Sequence, residues 1–122
     1  MKTVLIADDE PNIVLSLEYL LQRNGYCVLV ARDGQEALDT IALMPPDLVL
    51  LDVMLPRRSG YEVLQKLRED PATSRIRVMM LTAKGRDVER SKGLALGADA
   101  YITKPFSTQE LLQQIRAQLG EA

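Results

Sequence analysis

The sequence predicts an α/β protein, a doubly wound parallel sheet with helices on both faces. Three observations carry this expectation. Five short apolar runs recur along the chain, and each is followed by a stretch whose apolar residues fall at helical spacing. The third run, Leu48-Val49-Leu50-Leu51, is apolar at every position, as in a strand buried on both faces. Strand and helix alternate throughout, and right-handed crossovers turn such an alternation into one parallel sheet.

The first strand is Val4-Leu5-Ile6-Ala7, and it ends in the acids Asp8-Asp9-Glu10. Pro11 suits a first helical turn, where its missing N–H removes no bond. Ile13, Leu17, Leu20 and Leu21 mark the face of the first helix, and Asn24-Gly25 closes it with a residue suited to positive φ. The second strand covers Tyr26 to Ala31. Inside it, Cys27 reads as a small buried hydrophobe. Asp33-Gly34 reads as a turn, and Ala37, Leu38, Ile41 and Ala42 give the next helical face. Met44-Pro45-Pro46-Asp47 breaks that helix and leads into the third strand, which runs straight into Asp52.

After the loop Pro56-Arg57-Arg58-Ser59-Gly60, the residues Tyr61, Val63, Leu64 and Leu67 mark a helix that ends near Asp70-Pro71. Arg77-Val78-Met79-Met80-Leu81 is the fourth strand, followed by Thr82-Ala83-Lys84-Gly85. A weaker helix covers about Asp87 to Leu96, with Gly97 as its C-cap residue. Tyr101-Ile102-Thr103 is a short last strand before Lys104-Pro105-Phe106. Ser107-Thr108-Gln109-Glu110 has the form of a capping box, and Leu111, Leu112, Ile115 and Leu119 face the last helix inward.

A chain of 122 residues builds one core, so a single domain over residues 1–122 is expected. Hydrophobic residues at 47 % and charged ones at 26 % match a soluble globular domain. A net charge of −2 argues against a generic nucleic-acid or membrane surface, which would be basic. No apolar run approaches the roughly 20 residues that span a bilayer. The apolar stretch at the N-terminus is too short for a signal peptide, so the expected location is cytoplasmic. One cysteine excludes an internal disulfide and a multi-cysteine zinc site. The absence of histidine excludes Ser-His-Asp and Cys-His nucleophile systems and imidazole metal ligands. A phosphoryl group taken from a histidine would have to come from another protein.

The carboxyl ends of parallel strands converge on one edge, where open α/β sheets place their chemistry. That edge collects Asp8 and Asp9 from the first strand, Asp52 from the third, Thr82 from the fourth and Lys104 from the fifth. Carboxylates gathered in a small space repel one another unless a cation intervenes. Magnesium suits a site with few carboxylates, a backbone carbonyl and several waters. With Lys104 as a fixed positive charge and Thr82 as a hydroxyl donor, the set forms a receptacle for a phosphoryl group, and Asp52 is its attacking oxygen. Taken singly, the acids read as helix-cap residues, Thr82 as a strand-end threonine and Lys104 as a surface lysine. Their coincidence on one sheet edge is what points to chemistry.

Six segments carry a family resemblance. They are Leu5-Ile6-Ala7-Asp8-Asp9-Glu10, Leu51-Asp52-Val53-Met54-Leu55-Pro56, Ser59-Gly60, Leu81-Thr82-Ala83, Gly97-Ala98-Asp99 and Tyr101-Ile102-Thr103-Lys104-Pro105-Phe106. In these the chain resembles the receiver domains of bacterial two-component response regulators, of the chemotaxis-regulator-like kind, over essentially its whole length. The resemblance implies a flavodoxin-like (βα)5 fold with strand order 2-1-3-4-5. It implies phosphorylation of Asp52 by a histidine kinase or histidine phosphotransfer protein. Asp9, Asp52 and the Met54 backbone carbonyl would ligate Mg²⁺ directly, Asp8 through water, and Lys104 would hold the phosphoryl oxygens. It further implies a switch in which Thr82 moves toward the phosphoryl group and Tyr101 turns inward behind it. The α4-β5-α5 surface would then change for a downstream protein or output domain. The Lys104-Pro105 bond is expected to be cis, which is cheap before proline and aims the Lys104 amine into the pocket.

Two departures narrow this picture. The subfamily with winged-helix output domains typically has a second acid where this chain has Ala100, and an arginine where it has Gln114. Arg90 and Glu110, which resemble another charged pair of that dimer interface, are present. A monomer or weak dimer is therefore expected, with no direct nucleic-acid or membrane contact. Met54 and Lys84 occupy positions where the family tunes hydrolysis of the acyl phosphate. The domain is either a stand-alone receiver or the receiver of a longer regulator.

The alternative is a Mg²⁺-dependent aspartyl-phosphate phosphatase of the haloacid-dehalogenase type. Those enzymes need a second acid two residues after the nucleophile, and that position is Met54 here. Turnover on free substrates is therefore not expected. A flavodoxin-like cofactor binder would need an anion-binding loop after the first strand, where Asp8-Asp9-Glu10 would repel a phosphate. A pure interaction module would have no use for Asp9, Asp52, Thr82 and Lys104 together.

Overall fold

The computed structural model describes residues 1–83 and 87–121, with side chains described for all of these except 83 and 87–90. Lys84 and the Arg90 side chain lie outside the described set. In chain order the elements are β1 (Thr3–Ala7), α1 (Pro11–Arg23), β2 (Cys27–Ala31), α2 (Gly34–Leu43) and β3 (Leu48–Asp52). They continue with α3 (Gly60–Glu69), β4 (Arg77–Ala83), α4 (Asp87–Ala95), β5 (Ala100–Lys104) and α5 (Thr108–Gln118). The five strands form one sheet in the order β2-β1-β3-β4-β5, with every pairing parallel. This is the expected doubly wound topology.

The strand at the centre explains the rest. All five residues of β3 are buried, and Leu48 to Leu51 expose nothing. Alternate side chains enter two separate cores. Leu48 and Leu50 join Val14, Leu17 and Leu21 of α1 and Leu111 and Ile115 of α5. Val49 and Leu51 join Ala37 and Ile41 of α2 and Val63, Leu64 and Leu67 of α3. Each fully buried aliphatic side chain contributes about 1.5–3 kcal/mol, so β3 is the strand the two layers close upon. The predicted face of α1 was slightly rotated: Val14 is buried, while Ile13 and Leu20 pack at the margin.

The starts of α2, α3 and α5 are set by side-chain caps. Pro11 opens α1 as expected. Asp33 caps α2 by accepting the Glu36 N–H at 2.8 Å, so Asp33-Gly34 is a helix entry and not a separate turn. Ser59 and Glu62 form a reciprocal capping box on α3, which the sequence reading did not single out. At α5, Ser107 accepts the Glu110 N–H at 3.0 Å. Gly25 and Gly97, which end α1 and α4, have φ of 87° and 103°, a region open to glycine.

One expectation fails. Cys27 is exposed. It opens β2, an edge strand that leaves Cys27 outside both cores, and its sulfur lies 3.3 Å from Met1 Sδ. Tyr26, which precedes β2, is the buried residue, and its hydroxyl donates to Glu121 at 2.8 Å. Arg68 at the end of α3 ties the far edge together. Its guanidinium donates to the carbonyls of Ser74, Ile76 and Gly97 and pairs with Asp99 at 2.8 Å. Among the described residues, no helix is long and apolar enough to cross a membrane.

Candidate functional site

Parallel register brings the strand ends level. Asp8 follows β1 directly, Asp52 is the last residue of β3 and pairs in register with Leu81, and Lys104 ends β5 opposite Ala83. The Lys104-Pro105 peptide is cis, as expected. The Lys104 ammonium lies 3.0 Å from Asp8 Oδ2 and 3.4 Å from Asp52 Oδ2. It bridges the two acids, a pairing that the sequence reading of Lys104 as a fixed charge for the phosphoryl oxygens did not include.

Asp8 is fully buried and Asp52 is 8 % exposed, while Asp9 is exposed. Asp8 spends both oxygens inside the fold: Oδ1 accepts the Glu10 N–H at 2.9 Å and Oδ2 accepts from Lys104. Asp52 Oδ1 accepts the Met54 N–H at 3.3 Å. One carboxylate oxygen from each of Asp8, Asp9 and Asp52 lies within 4.8 Å of the others. All the donors are hard oxygens, so the cluster fits a divalent ion of the magnesium class.

Electrostatics follow from burial. Desolvation pushes the Asp52 carboxyl above the usual carboxylate range; the Asp8 charge adds to this, and Lys104 and the Met54 N–H oppose it. For Lys104, burial works against the charged form, but the hydrogen bond to Asp8 and the Asp52 and Asp8 charges outweigh it and raise the amine above its ordinary value. Among the described residues, the Lys104 amine offsets part of the negative charge of the buried acids. An added cation relieves the remaining excess.

Thr82 is buried, one position beyond the register partner of Asp52. Tyr101 is buried on the neighbouring strand, paired with Met80, which lies two positions before Thr82 on the same sheet face. The Tyr101 ring is already inward. Gly93 of α4 makes the space: a methyl group there would lie 2.7 Å from the ring. Among the described residues, the buried Tyr101 hydroxyl has no hydrogen-bond partner. The Met54 side chain is 67 % exposed beside the site. Lys104 also lines a cleft of about 540 Å³, walled by Ile13, Leu17 and Leu20 of α1 and by Phe106.

A sheet of this order, with acids and one amine gathered at its carboxyl edge, defines a signalling receiver. The chain belongs to the response regulator receiver domain family of two-component systems, whose family model matches residues 4–116. It is similar to the alkaline phosphatase synthesis transcriptional regulatory protein PhoP of Bacillus subtilis (strain 168), at 46 % identity over 95 % of this chain. The chain spans about half the length of that curated relative, 48 %. Its fold matches a chain assigned as a response regulator from Chloroflexus aurantiacus J-10-fl, with a TM-score of 0.94, 37 % identity and 98 % of each chain covered. It also matches the receiver domain of sensor histidine kinase PA1611 from Pseudomonas aeruginosa PAO1 (TM-score 0.90, 28 % identity, 98 % of each chain covered). That structure has a magnesium ion coordinated in its active-site cleft.

Proposed function

We propose that residues 1–122 form one phosphoacceptor domain, in which Asp52 takes a phosphoryl group from a histidine on a kinase or phosphotransfer protein. These 122 residues contain no histidine, so the donor imidazole lies outside them. The observation that carries this reading is the Lys104 ammonium set between Asp8 and Asp52, at 3.0 and 3.4 Å. A cation so placed steadies negative charge that grows on a phosphoryl oxygen beside Asp52.

Asp9, Asp52 and the Met54 carbonyl would hold Mg²⁺ directly, and Asp8, whose oxygens are engaged by Glu10 and Lys104, would act through water. Bound there, the ion supplies charge neutralisation for phosphoryl transfer. An Asp52 oxygen attacks phosphorus; the P–O bond forms as the P–N bond to the donor imidazole breaks, and the departing imidazole takes up a proton.

Thr82 and Tyr101 form the switch. The Thr82 hydroxyl donates to the new phosphoryl oxygen, and Tyr101 carries the change to the α4-β5-α5 surface, which engages a downstream protein or output domain. The curated relative's description as a transcriptional regulator supports an output in gene expression. Ala100 and Gln114 support a monomer or weak dimer, and the receiver itself contacts neither nucleic acid nor membrane. A cytoplasmic location and the lack of turnover on free substrates complete the reading. Incubation with acetyl phosphate and Mg²⁺ tests it. The wild-type chain gains one phosphoryl group and Asp52→Asn gains none; equal labelling of both refutes the assignment.

A further inference from the structure

We propose that the N-terminus of α2, which supplies no residue to the site, is a positioning element for it, with Gly34 as the key residue. The inference rests on the phosphoacceptor reading above and concerns the loop that follows Asp52.

The loop from Val53 to Ser59 carries the Met54 carbonyl and returns to α3. It is pressed between two helix starts. Gly60, the first residue of α3, donates its N–H to the Val53 carbonyl at 3.0 Å, and a methyl group on it would overlap the Asp52 carbonyl oxygen. Gly34, the first residue of α2, donates its N–H to the Pro56 carbonyl at 3.1 Å. A methyl group there would overlap the carbonyl oxygen of Arg58. Both glycines are buried.

Side chains reinforce the grip from α2. Arg58 Nε donates to Gln35 Oε1 at 2.7 Å, and Arg57 pairs with Asp33 at 3.4 Å. Between them the backbone is forced. Arg57 has φ of 67°, and the Arg58 N–H donates to the Pro56 carbonyl at 2.7 Å, which together make a tight γ-turn. Non-glycine residues adopt that region only where surrounding structure over-determines it. Here α2 does so, through contacts with Pro56, Arg57 and Arg58. Because the same loop donates the Met54 N–H to Asp52 Oδ1, its placement sets both the Asp52 carboxylate and the Met54 carbonyl.

The test compares wild type with Gly34→Ala, and with Thr40→Ala as a control further along α2. Mg²⁺ is titrated by calorimetry, and the Met54 amide is followed by NMR in metal-free protein. Gly34→Ala should fold, shift the Met54 amide and raise the Mg²⁺ midpoint about 10-fold, the usual size of effect for an outer support of a metal site. Thr40→Ala should leave both readouts in place. If Gly34→Ala does not fold, Gln35→Ala removes the Arg58 tie, together with a hydrogen bond to Asp39 inside α2, and should move both readouts in the same direction. A folded variant with unmoved Met54 amide and Mg²⁺ midpoint overturns the inference. A wild-type chain without a Mg²⁺ response overturns the metal reading instead, while the Met54 amide still decides whether α2 places the loop.

Discussion

Lys104 Nζ lies 3.0 Å from Asp8 Oδ2, and Asp8 has no exposed surface at all. A buried carboxylate of this kind depends on its counter-charge, because removing one partner leaves the other uncompensated. Lys104→Ala is therefore expected to destabilise the domain by about 2 kcal/mol, the scale of a lost charged hydrogen bond. Urea denaturation of the two proteins measures this. A variant as stable as wild type would show that Asp8 finds other compensation.

Asp52 is expected to oppose the fold when no metal is present. Burial raises its carboxyl above the usual range, so the folded state favours the protonated form. Its favourable contribution is present below the ordinary carboxylate range and is lost as pH rises through the raised value. At pH near 7, Asp52→Asn should then raise the metal-free Tm by a few degrees. Mg²⁺ should stabilise wild type and do little for the variant. A lower metal-free Tm for Asp52→Asn would contradict the buried-charge account.

The Tyr101 hydroxyl is buried without a partner among the described residues, and the ring packs against α4 at Gly93. An unsatisfied buried polar group costs roughly 1–3 kcal/mol. Tyr101→Phe should accordingly stabilise the unphosphorylated domain by about 1 kcal/mol, read as a shift in denaturation midpoint. A loss of stability would mean that the hydroxyl is engaged in solution.

Alkaline stability should report on Tyr26. Burial, and then the hydrogen bond and charge of Glu121, hold its hydroxyl above the ordinary value near 10. The stabilising effect is present below the ordinary value and disappears as pH climbs through the raised one. Tyr26→Phe should flatten the fall in Tm above about pH 10. An unchanged slope would separate Tyr26 from the alkaline transition.

Much of this was legible in the sequence, for identifiable reasons. Apolar runs such as Leu48 to Leu51 mark buried strands directly, and the crossover rule converts their alternation into a parallel sheet. Once the strand ends are aligned, Asp8, Asp9, Asp52 and Lys104 must meet, and they do. Cys27 was misplaced because an apolar pattern does not distinguish an edge strand from a central one. The support from Gly34 was invisible for another reason. It is a contact with the backbone near Arg58, and no side-chain periodicity records it. The Arg68 ties to Ser74, Ile76 and Gly97 are likewise made to carbonyls, which every residue possesses.

The amine that balances Asp8 sits 96 residues downstream of it. A ribosome releases the acids well before the lysine. Until that moment a nascent chain holds a bare anion where its interior should close. A fragment cut short of Lys104 would leave Asp8 without that counter-charge and would lack the whole of α5.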